Sequence, residues 1–143
     1  MKLREIHISH CRRRQFGKRR GVAVSELAVC MPVLVIVVLG TIESCAMIFL
    51  QQSLSIAAYE GARMALVPKA KAANVKYQSE LIMKDRGVKG ATAKVTPVNF
   101  TAAPEGSWIQ VETSAPFNSN SLVGGWIFSG RTVTASVQMM KEQ

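Results

Sequence analysis

The chain has 143 residues, of which 48% are hydrophobic and 19% charged. That is enough for one domain and too apolar for a disordered chain. Its 18 Lys+Arg against 9 Asp+Glu give a net charge of +9, but the excess is confined to the start. Residues 1–20 hold eight bases and one acid, whereas the remaining 123 residues hold ten bases and eight acids. This distribution argues against a basic nucleic-acid-binding domain, and no nucleic-acid partner is expected. All three cysteines fall at or before residue 45, which excludes a disulfide-stapled miniprotein.

Residues 1–21 form a basic, polar leader with the clusters Arg12-Arg13-Arg14 and Lys18-Arg19-Arg20. Residues 22–50 are strongly apolar. Leu27 to Leu39 is interrupted only by Pro32, and the run resumes after Gly40 and Thr41 as far as Leu50, with Glu43 and Ser44 inside it. A helix from Leu27 to Leu50 would be about 36 Å long, enough to cross a hydrocarbon core of about 30 Å. A chain this small cannot enclose such a segment on all sides, so a transmembrane helix is expected. After Arg20 the next base is Arg63. The positive-inside rule therefore keeps the N-terminus in the cytoplasm and sends residues beyond about 50 across the membrane.

At the junction stands Gly21-Val22-Ala23-Val24-Ser25-Glu26. A carboxylate at the mouth of a membrane helix costs a few kcal/mol on insertion scales and usually has a partner. A cut after Gly21 would supply one, because Val22 would become a positively charged amine at i to the Glu26 i+4 position. The two charges could then neutralise each other within a subunit or between neighbours. The alternative at this junction is an uncut signal anchor with Glu26 among the headgroups.

The longer pattern is more specific. It runs Arg19-Arg20-Gly21-Val22-Ala23-Val24-Ser25-Glu26-Leu27-Ala28-Val29, then Met31-Pro32, then Leu39-Gly40-Thr41-Ile42-Glu43. It continues to Gln51-Gln52 and Ala57-Ala58-Tyr59-Glu60-Gly61-Ala62-Arg63. This resembles the TadE-like family, minor pseudopilins of the tight-adherence (Tad, or Flp) pilus assembly and secretion system. The resemblance implies a pilin-like α+β fold and cleavage between Gly21 and Val22 by a prepilin peptidase. It also implies packing among sister pseudopilins, the Flp pilin and an inner-membrane assembly platform. The implied location is the inner membrane, crossed once, with the C-terminal domain outside the cytoplasm, in contact with membrane lipid and available to a surface pilus. The implied role is pilus initiation, tip formation or regulation.

Pro32 removes one backbone hydrogen bond and is expected to kink the helix. Glu43 lies about 24 Å along the helix from Leu27. It is expected either to reach the outer headgroups or to pair with a base on a partner subunit. Residues 51–67 read as an amphipathic extension. There Glu60 and Arg63 make an exposed i, i+3 pair, and Ala58, Gly61, Ala62 and Ala65 form a small-residue stripe suited to close docking on a sheet. Pro68 marks the break. Cys30 and Cys45, fifteen residues apart on one helix, are too distant to bridge. Cys11, His7 and His10 lie in the leader, so neither a metal site nor a cofactor is expected. The exported part holds no set of catalytic residues, and no enzyme activity is expected.

Residues 68–143 read as an exported α+β domain. A second helix over 69–86 is expected to present Ala70, Ala73, Tyr77 and Leu81 on one face, with Gly87 as its stop. Three β-like runs follow. Ala91–Phe100 contains Pro97 and reads as an edge or bulged strand. Trp108–Ala115 sets Ile109, Val111 and Thr113 on one face. Thr132–Met139 sets Val133, Ala135, Val137 and Met139 on one face and Thr132, Thr134, Ser136 and Gln138 on the other. The loop Pro116–Gly130 carries Asn118-Ser119-Asn120-Ser121 and Gly124-Gly125-Trp126-Ile127-Phe128. Trp126 and Phe128 are expected to enter the core or to form an exposed patch for another subunit. A different class of protein also fits part of the pattern. Ser44-Cys45-Ala46 is a passable signal peptidase site, which would release a small secreted binding domain beginning at Met47.

Overall fold

The computed structural model describes residues 18–141, with side-chain surroundings from Gly21 onward. The leader clusters upstream of Lys18, together with Cys11, His7 and His10, lie outside the described residues. The chain divides into two compact units, residues 1–37 and 38–143. One α-helix, α1 (Lys18–Ala65), belongs to both. In the first unit every described side chain from Gly21 to Val37 is exposed. Pro32 lies inside α1 without ending it.

The second unit is α+β. It comprises the remainder of α1, α2 (Ala72–Asp85), β1 (Thr92–Thr96), a 3-10 turn (Phe100–Ala102), β2 (Trp108–Pro116) and β3 (Thr132–Met140). The sheet is antiparallel in the order β1-β2-β3, with Val95 opposite Val111 and Val111 opposite Val137. Strict alternation on β2 buries Ile109, Val111, Thr113 and Ala115 on the helix-facing side. On β3 Val133 and Ala135 are buried, while Val137 and Met139 are half-buried, on the expected face.

From residue 43 onward α1 buries one face. Glu43, Ala46, Leu50, Leu54, Ala57, Ala58, Gly61, Ala62 and Ala65 are buried at helical spacing. Leu50 and Leu54, nearly fully buried, each contribute about 1.5–3 kcal/mol of transfer free energy. The small-residue stripe docks as its composition suggests. A Cβ on Gly61 would collide with Ser79 Oγ of α2 and stand 3.2 Å from Val111 Cγ1 of β2. Gly61 thus lies where both helices and the sheet converge. Thr113 adds a polar tie in the buried layer, its hydroxyl facing the Leu54 carbonyl at 3.0 Å and the Ala135 carbonyl at 3.4 Å.

Three expectations are corrected. The inward face of α2 is Val75, Ser79 and Met83, not Ala70, Ala73, Tyr77 and Leu81. Tyr77 is 66% exposed, and Ala70, although buried, precedes the helix. Close approach at Gly61 requires a small residue on α2, and Ser79 meets that need. The first strand ends at Thr96, before Pro97, which cannot donate to a ladder. Phe100 opens the 3-10 turn and fills the core from there. Packing also reaches further up α1 than residue 51, because Glu43, Ala46 and Leu50 already belong to the folded unit.

Helix α2 stops at Gly87, as expected. Its φ of +71° permits the Gly87 N–H to reach the Lys84 carbonyl at 2.9 Å and the Val88 N–H to reach the Met83 carbonyl at 2.9 Å. This is the Schellman arrangement, with half-buried Val88 packed against the same core cluster as Met83.

Candidate functional site

The chemistry-bearing residues of α1 fall into two environments. Gly21, Val22, Glu26 and Pro32 are all exposed on the apolar first part of the helix. Among the described residues, nothing stands within 4 Å of a Cβ placed on Gly21. Val22 and Glu26 sit one turn apart, and between them the Ser25 hydroxyl donates to the Val22 carbonyl at 2.7 Å. The helix is long and apolar enough to cross a membrane, and none of its most apolar stretch is buried.

Glu43 lies in the other environment. Its side chain is fully buried. One carboxylate oxygen accepts from the Ser121 hydroxyl at 3.3 Å, and the other accepts from the Ile127 backbone N–H at 3.3 Å. Glu43 therefore anchors the β2–β3 loop to the helix. This places it away from the exposed positions that contact with headgroups or a partner's base would require. Two neutral donors satisfy both oxygens, which a buried carboxyl group needs.

The loop is held at several further points. Asn120 accepts from the Lys89 N–H at 2.8 Å and donates to the Lys89 and Pro116 carbonyls at 2.9 and 2.8 Å. Asn118 accepts from the Gly130 N–H at 3.0 Å. Phe128 is half-buried and meets Phe117 edge to face at 5.7 Å. Phe128 therefore joins the core, whereas Trp126, 56% exposed, does not. Leu122 and Ile127 are also exposed. A groove of about 450 Å³ runs beside this loop, lined by Cys45, Phe49, Arg86, Lys89 and Leu122 among others.

On α1 a second apolar stripe faces away from the sheet. Ile42, Ile48, Phe49, Ile56 and Tyr59 are all exposed. At about 100° per residue they fall within roughly 120° of one another, on one side of the helix. This surface could bury itself against another helix without disturbing the chain's own core. The Glu60–Arg63 pair at 3.8 Å is exposed and contributes little. Cys30 and Cys45 are exposed free thiols.

The Glu43 anchor was not among the roles expected for that residue, because its donors lie 78 and 84 residues away in the chain. The run Asn118-Ser119-Asn120-Ser121 was the available signal, since such residues organise loops through side-chain hydrogen bonds.

Comparison with curated proteins and with solved structures gives no match. Residues 21–63, which carry the exposed span, Glu26, Glu43 and most of the docked small-residue face, fit the family model of the TadE-like proteins.

Proposed function

We propose that the chain is a minor pseudopilin of a bacterial Tad (Flp) pilus assembly and secretion system. It is inserted in the inner membrane with its N-terminus in the cytoplasm and cut between Gly21 and Val22 by a prepilin peptidase. It then packs through α1 against sister pseudopilins and the Flp pilin on the membrane platform, acting in pilus initiation, tip formation or regulation. Its work is assembly rather than catalysis. One observation carries the reading. The family match over 21–63 falls on a single helix whose first part is apolar and bare and whose second part bears the folded unit.

The competing reading, release by signal peptidase after Ala46, fits the packing poorly. That cut would remove Glu43 and Ala46 from the buried face of α1 and free the β2–β3 loop from its anchor.

Glu26→Ala tests the proposal. The substitution makes the span more apolar, so insertion should be unchanged. It also removes the partner of the Val22 amine, so recovery of pilin-like subunits from solubilised membranes should fall. Equal recovery with mutant and parent would remove the charge pairing from the mechanism.

A further inference from the structure

The β2–β3 loop carries three exposed large apolar side chains, Leu122 at 76%, Trp126 at 56% and Ile127 at 43%. They do not serve the core, which takes Phe117 and Phe128 from the same loop region. The loop meets α1 at a defined level. Ile127 donates its N–H to Glu43, and its Cδ1 lies 3.6 Å from where a Cβ on Gly40 would stand. From Val22 to Gly40 the helix rises about 27 Å, close to the thickness of a hydrocarbon core. If residues 22–40 span the bilayer, α1 therefore leaves the hydrocarbon at the level where Ile127 touches it.

We propose that the Leu122/Trp126/Ile127 loop is a second membrane contact, inserted into the interface of the same bilayer that α1 crosses. The inference rests on the transmembrane reading of α1 given above. Tryptophan is favoured at this depth because its ring is apolar and its N–H is polar. Leu122 and Ile127 supply apolar area to bury beside it. The surrounding charge agrees. Arg86 and Lys89 border the adjoining groove, and Arg131 follows the loop, with its guanidinium 5.8 Å from the Phe128 ring centre. Bases beside an interfacial apolar patch favour anionic phospholipid headgroups. Glu43, the acid that faces this loop, is buried beneath it and presents no carboxylate to the headgroups. The contact gives the folded unit a second point of attachment, close to the helix, and so restricts its tilt on the membrane.

The chain contains two tryptophans, which makes the test direct. Trp108 is also exposed, but it begins β2 beside Ile109, which packs in one cluster with Ala62 and Ala65 of α1. It therefore serves as an internal control remote from Gly40. The full chain carrying Trp108→Phe is reconstituted in vesicles of phosphatidylethanolamine and phosphatidylglycerol with brominated acyl chains. The expected result is blue-shifted Trp126 emission with strong quenching, whereas a Trp126→Phe chain, reporting Trp108, shows neither. Replacing Leu122 and Ile127 by Ser should remove most of the Trp126 quenching. It should leave the fold intact, because Glu43 binds the Ile127 backbone rather than its side chain. Alkaline extraction of the same vesicles separates the two claims. A chain that resists extraction while Trp126 is quenched no more than Trp108 overturns the loop contact and leaves the anchor standing. A chain released by alkali overturns both. Trp126 that is unquenched by lipid, but becomes shielded from aqueous quencher when pilin subunits are added, assigns the patch to a protein and overturns the proposal.

Discussion

At the scale of single residues, Gly61 and Ser79 approach so closely that a Cβ on Gly61 has no room. Gly61→Leu should push α1 away from α2 and β2, and overpacking of this kind costs about 1–3 kcal/mol. Ala62→Leu should do the same, whereas Tyr59→Leu, at a half-exposed position off the stripe, should be mild. Thermal unfolding of the solubilised chain ranks the three. Equal stability for all would mean that the stripe does not pack. Ser79 makes the opposite prediction. Its hydroxyl is buried and finds no hydrogen-bond partner among the described residues. Ser79→Ala keeps the Cβ and removes that orphan, so it should raise stability by about 1 kcal/mol or leave it unchanged. A clear loss would indicate a bonded hydroxyl. At Glu43, Gln retains an acceptor for the Ile127 N–H and can donate to the Ser121 hydroxyl, whereas Ala leaves the Ile127 N–H without its acceptor. Hydrogen exchange within 121–127 should therefore rise sharply in Glu43→Ala and little in Glu43→Gln. Equal rates in the two variants would show that the loop is held without this anchor.

Among the elements, α1 changes from fully exposed to buried on one face near residue 43, and the sequence marks that change only faintly. Hydropathy continues through Leu50, so the apolar run reads as one span, yet Ala46 and Leu50 are spent on the core. Leu50→Ala should accordingly cost about 2–5 kcal/mol in the folded unit. The matching change at Phe49, which is half-exposed on the outer side, should cost far less. Denaturant titration compares them, and equal losses would place residue 50 outside the core. The strands were legible because each shows one face to the helices and one to solvent, as Ile109, Val111 and Thr113 do. The face of α2 was not legible. Tyr77 and Leu81 carry far more apolar surface than Ser79, and only the approach at Gly61 makes a serine the inward residue. The role of Glu43 was hidden for a related reason. An acid inside an apolar helix signals a partner, but its donors come from a loop close to the other end of the chain.

For the whole molecule, the proposed design joins a bare apolar helix to a folded unit that completes its core on the same helix. Lateral assembly would then use what the fold leaves uncovered, the Val22 and Glu26 end and the outer stripe from Ile42 to Tyr59. The mature N-terminus tests this account most directly. In a host with a working Tad system, mass measurement of the membrane-bound protein should find a chain beginning at Val22. Gly21→Val should retain the 21-residue leader and run about 2 kDa heavier. A wild-type protein that keeps its leader, or one that begins at Met47, would contradict the account.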